Sequence, residues 1–411
     1  MLGERIRKLR KQKKMTLEAL AGEALTKGML SLIENNKANP SMESLTYIAQ
    51  QLGVEVTDLL EEVSSQELRG VLEKAEKIFN QDSEEVNDKY TQLIALIEPY
   101  AGSLANGYES ARLLDIYSRS LYIKKKDGWH KLLDKAAQMY DQMNLTSRRS
   151  SLGIFRSKVK FIAHDYAESL DIHLSERCKI EATHAYIDPM TRLSLDYHEA
   201  ALYFAVGDTE SATRVMNDAI TFSKENRIFY LIDDLYRLAA GYAMMSKDIV
   251  KKAYYTQKLK QYEEFADDIN SKWFCELIHI DSLISDEHEY AKAIEWIDQV
   301  LLNEEKPVDY QPYFLLERGR ALYGLGQFSE ALHYLSQIRI PSILHHPFDL
   351  SIFYIADSYM ALCHLEQKDV KAATHFAEIA VKNFDPLPDT SYKDFSQATY
   401  ERIKMAKPAE A

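Results

Sequence analysis

The residues of this 411-residue chain that favour a definite chemistry are basic side chains crowded near its start. Residues 1–40 contain nine Lys and Arg against four Glu, a local net charge of +5, whereas the whole chain carries −13. The nine are Arg5, Arg7, Lys8, Arg10, Lys11, Lys13, Lys14, Lys27 and Lys37. A basic patch on an acidic protein suits phosphate contact, because neutralising phosphates releases counterions. An isolated run of this kind is more often a solvated helix face, so the elements that carry it decide between the two readings.

Patterns for catalysis or metal binding are weak by comparison. His345 and His346 are adjacent and His173 follows Asp171 closely, but neither group matches a known metal-ligand motif, which favours solvated histidines. The chain lacks a Walker loop, a GxSxG elbow and a GxGxxG fingerprint. We therefore expect no enzymatic activity, no cofactor, and no catalytic or metal-binding residues.

Length and composition bound the class of protein. A hydrophobic content of 46% suits a sizeable core, and only 14 Gly and 10 Pro favour helix. Cys178, Cys275 and Cys363 form no paired framework, which is typical of reduced thiols. No signal peptide opens the chain and no run reaches the length of a membrane helix. These observations predict a soluble cytoplasmic protein.

Five short helices are predicted within the first sixty residues. Thr16, Thr26 and Ser41 stand at N-cap positions before the second, third and fourth helices. Pro40 breaks the chain after the third helix, and Gly53 ends the fourth. Two short helices joined by a tight turn are typical of a helix-turn-helix unit.

This region resembles the Xre/Cro/phage-repressor class of helix-turn-helix domains, in which the second helix of the motif enters the major groove. The resemblance is carried by residues 5–10, 15–17, 20–21, 30–34, 39–41 and 52–54. It implies an ion pair of Arg10 with Glu34 between the first and third helices. The DNA-binding residues that it implies are Lys27, Gly28, Met29, Ser31 and Leu32 on or near the reading face, and Arg7, Lys11 and Lys37 at phosphates.

From residue 66 to 385 the sequence repeats with a period near 40. Small residues and an aromatic residue recur around pivots at positions 164, 207, 247, 288, 326 and 368, which are 43, 40, 41, 38 and 42 residues apart. The pattern resembles the tetratricopeptide repeat, a helix pair packed closely through small residues, with a period longer than that family's 34. It predicts seven or eight helix pairs stacked in a superhelix with a concave face.

The predicted fold is all-α, with a tetratricopeptide-like right-handed superhelical solenoid following the Xre-type domain. The predicted segments are a helix-turn-helix domain at 1–62, a polar connector at 61–66, a repeat array for peptide binding and dimerisation at 66–385, and a closing helix at 391–407.

First-helix residues of the repeats are expected to face the concave groove, by resemblance to the tetratricopeptide family. The matching peptide-binding candidates are Tyr197, Phe204, Asp234, Arg237, Tyr313, Arg320 and Tyr323. An Arg among aromatic residues suits the carboxylate and main chain of an extended peptide. The alternative is that Arg237 and Arg320 pair with neighbouring acids such as Asp233 or Glu317.

An Xre-type domain joined to such an array resembles the RRNPP family of peptide-pheromone receptors, which includes the PlcR, NprR, PrgX and Rgg groups. The resemblance implies a cytoplasmic, homodimeric transcription regulator that binds a two-fold DNA operator and contacts no membrane. A short signalling peptide in the groove controls it, as in quorum sensing. Two alternatives stay open. One is a constitutive phage-type repressor whose repeats only dimerise or recruit a protein partner, and the other is a bifunctional regulator that also binds a response regulator.

Overall fold

The computed structural model describes most of the chain and contains no strand in that part, which confirms the all-α prediction. The described residues are 2–60, 65–81, 86–104, 106–303 and 307–406. Residues 61–64 of the predicted connector and the last residue of the predicted closing helix lie outside them. None of the described helices is long and apolar enough to cross a membrane. The chain divides into two compact units, Met1–Leu152 and Gly153–Ala411.

The described helices that lie wholly in the first unit, besides a 3-10 turn at Glu98–Tyr100, are α1 (Leu2–Gln12), α2 (Leu17–Ala21), α3 (Lys27–Glu34), α4 (Met42–Leu52), α5 (Val56–Leu60), α6 (Ser65–Phe79), α7 (Val86–Ile97), α8 (Tyr108–Ile123) and α9 (Trp129–Gln142). Helix α10 (Thr146–Ile162) begins in the first unit and continues into the second.

The second unit contains a 3-10 turn at Val308–Tyr310 and a series of longer helices. They are α11 (Tyr166–Thr183), α12 (Pro189–Val206), α13 (Thr209–Asn226), α14 (Ile232–Met245), α15 (Ile249–Ala266), α16 (Ile269–Ser285), α17 (Tyr290–Leu302), α18 (Gln311–Gly324), α19 (Phe328–Leu335), α20 (Pro347–Glu366), α21 (Val370–Phe384) and α22 (Ser391–Ala406).

The N-terminal helices begin and end at the predicted caps. The side chains of Thr16, Thr26 and Ser41 accept hydrogen bonds from the backbone N–H three residues later, at 3.0, 3.1 and 3.2 Å. Gly53 follows α4 with a φ of 57°, a left-handed conformation that glycine adopts without a Cβ clash. Because each cap satisfies backbone groups that the helix leaves unpaired, these four residues fix the boundaries of α2, α3 and α4.

The predicted ion pair between Arg10 and Glu34 is present. The Arg10 guanidinium donates two hydrogen bonds to the Glu34 carboxylate, at 2.6 and 2.8 Å, and a third to the carbonyl of Met15 at 2.9 Å. Glu34 is 4% exposed. The pair therefore joins α1 to α3 beside the apolar core of Ile6, Leu20, Leu30, Ile33, Leu45, Ile48 and Leu52.

Each of the six predicted repeat pivots lies in a turn between two helices and has a positive φ. The φ values are 62° at His164, 85° at Gly207, 56° at Lys247, 58° at His288, 76° at Gly326 and 63° at Lys368. Left-handed backbone costs a non-glycine residue about 1–2 kcal/mol. An aspartate that caps the next helix follows four of the six pivots and offsets part of this cost. The common turn confirms a helical repeat.

Small residues allow the helices of one pair to approach closely. A Cβ added to Gly319 on α18 would lie 2.5 Å from the side chain of Leu335 on α19. Ser157 on α10 and Ser169 on α11 are near enough for each hydroxyl to donate to the other's carbonyl, at 2.9 and 2.8 Å. Each helix from α11 to α22 contacts the next one along the chain, so first and second helices alternate.

Candidate nucleic-acid interface and ligand cavity

The outer face of α3 is the first candidate site. Leu30 and Ile33 are buried in the domain core, so the predicted reading residues point away from it. Met29 and Leu32 are 46% and 45% exposed, which is unusual for large apolar side chains. The five predicted reading residues on this helix, Lys27, Gly28, Met29, Ser31 and Leu32, are exposed or half-buried.

Most basic side chains of this region are available for phosphates. Arg7, Lys11 and Lys37, the predicted phosphate contacts, are all exposed. Lys27 has a partner that the sequence analysis missed, because its ammonium group lies 2.5 Å from the Glu18 carboxylate on α2. Both of those side chains are more than half exposed, so water screens the pair and a phosphate can replace the carboxylate.

The second candidate site is a cavity of about 540 Å³ in the second unit. Its walls come from the first helices of successive pairs, α10, α12, α14, α16, α18 and α20, together with the 3-10 turn before α18 and part of the irregular segment 336–346. This size is in the range of small-ligand sites, which are typically 300–1,000 Å³. The alternation of helices thus places side chains from positions 154 to 352 around one space.

Four of the seven predicted peptide-binding residues line the cavity: Tyr197, Asp234, Arg237 and Tyr313. The other three are absent from its lining. Phe204 is buried and its ring lies 4.7 Å from that of Tyr242, in the packing between α12 and α14. Tyr323 packs against the ring of Tyr359 at 5.5 Å.

Arg320 is held inside the helix packing by acids. Its guanidinium lies 2.7 Å from Glu317 and 3.0 Å from Asp281, and it donates to the Ser285 hydroxyl at 2.7 Å. Burial raises the pKa of Glu317 to about 7, and the charge of Arg320 opposes that rise. The group is therefore a structural ion network, the alternative that the sequence left open for this arginine.

Arg237 reaches the cavity but is also paired. Its Nη2 atom lies 2.6 Å from Asp234 and 2.8 Å from Asp233, and its Nη1 atom lies 3.8 Å from Asp268. With three carboxylates near one guanidinium, the local charge around Arg237 is negative. The arginine is thus neutralised by the protein before any ligand arrives, as the same alternative foresaw.

The segment 336–346 and the start of α20 were missed by the sequence analysis. The Tyr166 hydroxyl donates to the carbonyl of His345 at 2.8 Å. His346 Nε2 lies 3.0 Å from the carbonyl of Ala201, and its Nδ1 accepts from the N–H of Phe348 at 3.1 Å. Burial lowers the pKa of His346 to about 4, which matches this neutral bonding pattern. The only sequence signal was the His345–His346 pair, which the sequence analysis interpreted as solvated histidines.

Asp349, on the first turn of α20, also lines the cavity. Burial raises the pKa of its carboxyl group to about 7. Tyr310 and Tyr313 lie in the same wall, with ring centroids 6.1 Å apart. In the part of the chain that the structure describes, no group of three or more His, Cys, Asp and Glu side chains is arranged to hold a metal ion. The cavity therefore offers aromatic, hydroxyl and carboxylate groups to a ligand.

Comparison with known proteins identifies the domain type of the N-terminal region. Residues 3–65 match the family model described as "Helix-turn-helix domain". They form a helix-turn-helix domain. The HTH-type transcriptional regulator DdrOP3 of Deinococcus deserti is 41% identical over 63 residues, which are 15% of this chain. The match spans 49% of that regulator, so about half of its length has a counterpart here.

Solved structures of similar chains cover more of the sequence at lower identity. PlcR of Bacillus thuringiensis, in complex with the peptide PapR7 and DNA, is 17% identical with a TM-score of 0.37, over 67% of this chain and 98% of that one. The pheromone receptor Rgg2 of Streptococcus dysgalactiae is 15% identical with a TM-score of 0.34, over 68% of this chain and 99% of that one.

Proposed function

We propose that this chain is a DNA-binding transcription regulator controlled by a short signalling peptide that binds in the cavity of the second unit. The observation that supports DNA binding is the exposed outer face of α3, a helix of the domain matched over residues 3–65. The observation that supports ligand control is the cavity. As the RRNPP resemblance implies, the regulator acts in the cytoplasm in quorum sensing.

The DNA contacts divide into two kinds. Lys27 and Ser31 on α3 contact base edges in the major groove, and the exposed Met29 and Leu32 suit thymine methyl groups. Arg7, Lys11 and Lys37 contact phosphates, which fixes the register of the domain without reading sequence. Gly28 has no atom within 4 Å of an added Cβ, so its missing side chain leaves the backbone of α3 open to close approach.

The peptide is held by aromatic and charged side chains of the cavity wall. Tyr197, Tyr310 and Tyr313 supply amphipathic contact area, and each main-chain polar group buried without a partner costs about 1–3 kcal/mol. Lys158 is a lining cation with no ion pair among the described residues. Because Arg237 is already neutralised by two aspartates, we expect Lys158 to attract the peptide's C-terminal carboxylate.

A peptide in this cavity can control the protein because of the helices that it contacts. Its wall combines the first helices of six successive pairs, so a ligand that prefers one arrangement of these helices over another shifts the population between the two. One helix-turn-helix domain reads few base pairs, so the active form is a homodimer on a two-fold operator. Light scattering of the full chain that gives one protomer mass with and without DNA would contradict this part.

The function is tested with the full-length chain and two probes. Selection from a random duplex pool is expected to enrich one two-fold sequence, and a random heptapeptide pool is expected to be retained and to change the affinity for that duplex. Enrichment of a duplex without peptide retention would support the constitutive repressor or the bifunctional regulator instead. Pull-down of a purified response regulator would separate those two. Failure to enrich any duplex would overturn the DNA-binding proposal.

A further inference from the structure

The charges that line the cavity do not balance. Five charged side chains contribute to its wall: Lys158, Asp234, Arg237, Asp309 and Asp349. Arg237 and Asp234 pair with each other at 2.6 Å, and Asp233 lies 2.8 Å from the same guanidinium. This leaves one unpaired cation, Lys158, against two aspartates that have no ion pair among the described residues. The cavity wall therefore carries an excess of negative charge.

The excess of negative charge is most unfavourable at Asp349. It projects from the first turn of α20 into the cavity wall, and burial alone is what raises the pKa of its carboxyl group. Neither a hydrogen bond nor an ion pair to it occurs in the described part of the chain. An ionised carboxylate away from water is unfavourable unless a positive charge or donors compensate it. A ligand cation at this position supplies that compensation.

Aromatic rings line the same cavity as this carboxylate. Tyr197, Tyr310 and Tyr313 contribute to the same cavity wall as Asp349, and the ring centroids of Tyr310 and Tyr313 are 6.1 Å apart. Burial raises the pKa values of all three phenols, and the charge of Asp349 adds a smaller contribution. Ring faces attract ammonium and guanidinium groups, and the attraction is stronger where water is excluded. Phenol rings beside one unpaired carboxylate are a combination that recognises an organic cation.

We infer, on the basis of the proposed function, that the signalling peptide carries a positively charged group, either a Lys or Arg side chain or its terminal amine, and that this group binds Asp349 among Tyr197, Tyr310 and Tyr313. The sequence analysis expected arginines of the protein to bind the carboxylate of the peptide. This inference instead places a positive charge on the peptide and a carboxylate on the protein. It also orients the ligand, with its cation near α18 and α20 and its carboxylate near Lys158 on α10.

The structural alternative is that Asp349 only stabilises the N-terminus of α20 through the helix dipole. That role requires a negative charge at the helix end but predicts no preference among ligands. Peptide selectivity therefore separates the two explanations, whereas a loss of stability in a variant does not.

The experiment uses three synthetic heptapeptide pools of uncharged side chains with the purified full-length chain. The first pool is N-acetylated and has one lysine, the second is N-acetylated with norleucine at the same position, and the third has norleucine and a free amine. We expect the wild-type chain to retain the first or the third pool at least about tenfold more than the second, as for a charge-assisted bond. This comparison needs no variant to fold.

Variants then locate the cation. Asp349→Asn is expected to abolish the tenfold preference, and Asp349→Glu to keep it, because the charge remains. Asp218→Asn is the matched control, since Asp218 is exposed on the second helix α13 and is absent from the cavity lining. Equal retention of all three pools by the wild type overturns the inference alone. A preference that survives Asp349→Asn places the cation elsewhere and also overturns it, whereas retention of no pool overturns the peptide proposal itself.

Discussion

The candidate basic side chains differ in exposure and ion pairing between the helix-turn-helix domain and the second unit. In the helix-turn-helix domain, Arg7, Lys11 and Lys37 are exposed, and the pair that Lys27 makes with Glu18 is open to water. In the second unit, the side chains of Arg237 and Arg320 are 20% and 7% exposed, and each contacts at least two carboxylates.

The difference shows what decides whether an arginine is free to bind an anion. A surface pair in water contributes only about 0–1 kcal/mol and exchanges readily for a phosphate. A buried guanidinium surrounded by carboxylates cannot leave them without exposing uncompensated charge. In this protein the exposed basic residues are the anion-binding candidates, and the buried ones hold helices together.

The largest effect that would test this contrast is expected at Arg320. Arg320→Met should destabilise the second unit by about 3–5 kcal/mol, because Glu317 and Asp281 are left buried without their partner. Urea unfolding measures the change. Arg214→Met is the control, since Arg214 is exposed and should change stability by less than about 0.5 kcal/mol. Equal unfolding midpoints for the two variants would remove the structural role.

Arg10 differs from the exposed basic residues of the N-terminal region because it pairs with the nearly buried Glu34. It therefore tests the same contrast within one domain. Arg10→Met should destabilise the domain by about 1.5–3 kcal/mol, since it removes charge-assisted bonds to the nearly buried Glu34. Amide hydrogen exchange in α1 and α3 measures this locally. Arg7→Met, the exposed neighbour, should leave exchange unchanged. A similar increase in exchange for both would mean that burial does not distinguish them.

Reading residues should affect sequence preference rather than stability. Lys27→Ala combined with Ser31→Ala should cost about 1–3 kcal/mol in affinity for the selected duplex and relax specificity at the contacted bases. Footprinting and fluorescence anisotropy measure both. An unchanged footprint would mean that another face of the domain reads the bases.

Phosphate residues should affect all duplexes alike. Lys37→Ala should weaken binding to selected and random duplexes by the same factor and lower the slope of log affinity against log salt by about one. A salt titration of both duplexes measures it. A loss confined to the selected duplex would instead assign Lys37 a reading role.

The last test concerns a pH dependence of stability at Asp349. Its folded pKa, about 7, lies above the ordinary value near 3.9, so the folded state binds the proton more tightly. The wild type should therefore lose stability relative to Asp349→Asn as pH rises from about 4 to 7. Tyr197, Tyr310 and Tyr313 in the same wall stay neutral in that window, because burial raises their pKa values. His198, Asp234 and His346 also line the cavity, and because both chains contain them, comparing the two chains isolates the contribution of Asp349. Parallel melting curves for the two chains across this pH range would mean that Asp349 does not titrate as described.

The features that the sequence predicted are local ones. The caps at Thr16, Thr26 and Ser41 act within three residues, and the turns at positions such as Gly207 and Gly326 lie within one helix pair. Short-range hydrogen bonding and backbone preference determine such features, so residue types reveal them. The domain boundaries and the DNA contacts stay predictions.

The cavity could be foreseen only in part. Tyr197, Asp234, Arg237 and Tyr313 all lie on first helices and line one cavity, because helix periodicity repeats from pair to pair, but their role in binding a peptide stays a prediction. The partners of the arginines depend on neighbouring pairs, as Asp281 and Arg320 show at a separation of 39 residues. Segment 336–346 has no periodicity, so its place in the wall follows from the finished packing alone.

The hydrogen bonds of segment 336–346 also have a consequence for the order of folding. They join His346 to Ala201 and His345 to Tyr166, across 145 and 179 residues, whereas neighbouring repeats meet within about 40. Closing a loop of 179 residues costs about 1.3 kcal/mol more in chain entropy than closing one of 40. Contacts between adjacent helices thus form first, and the cavity is completed last. A newly made chain therefore has a finished helix-turn-helix domain before it has a finished cavity.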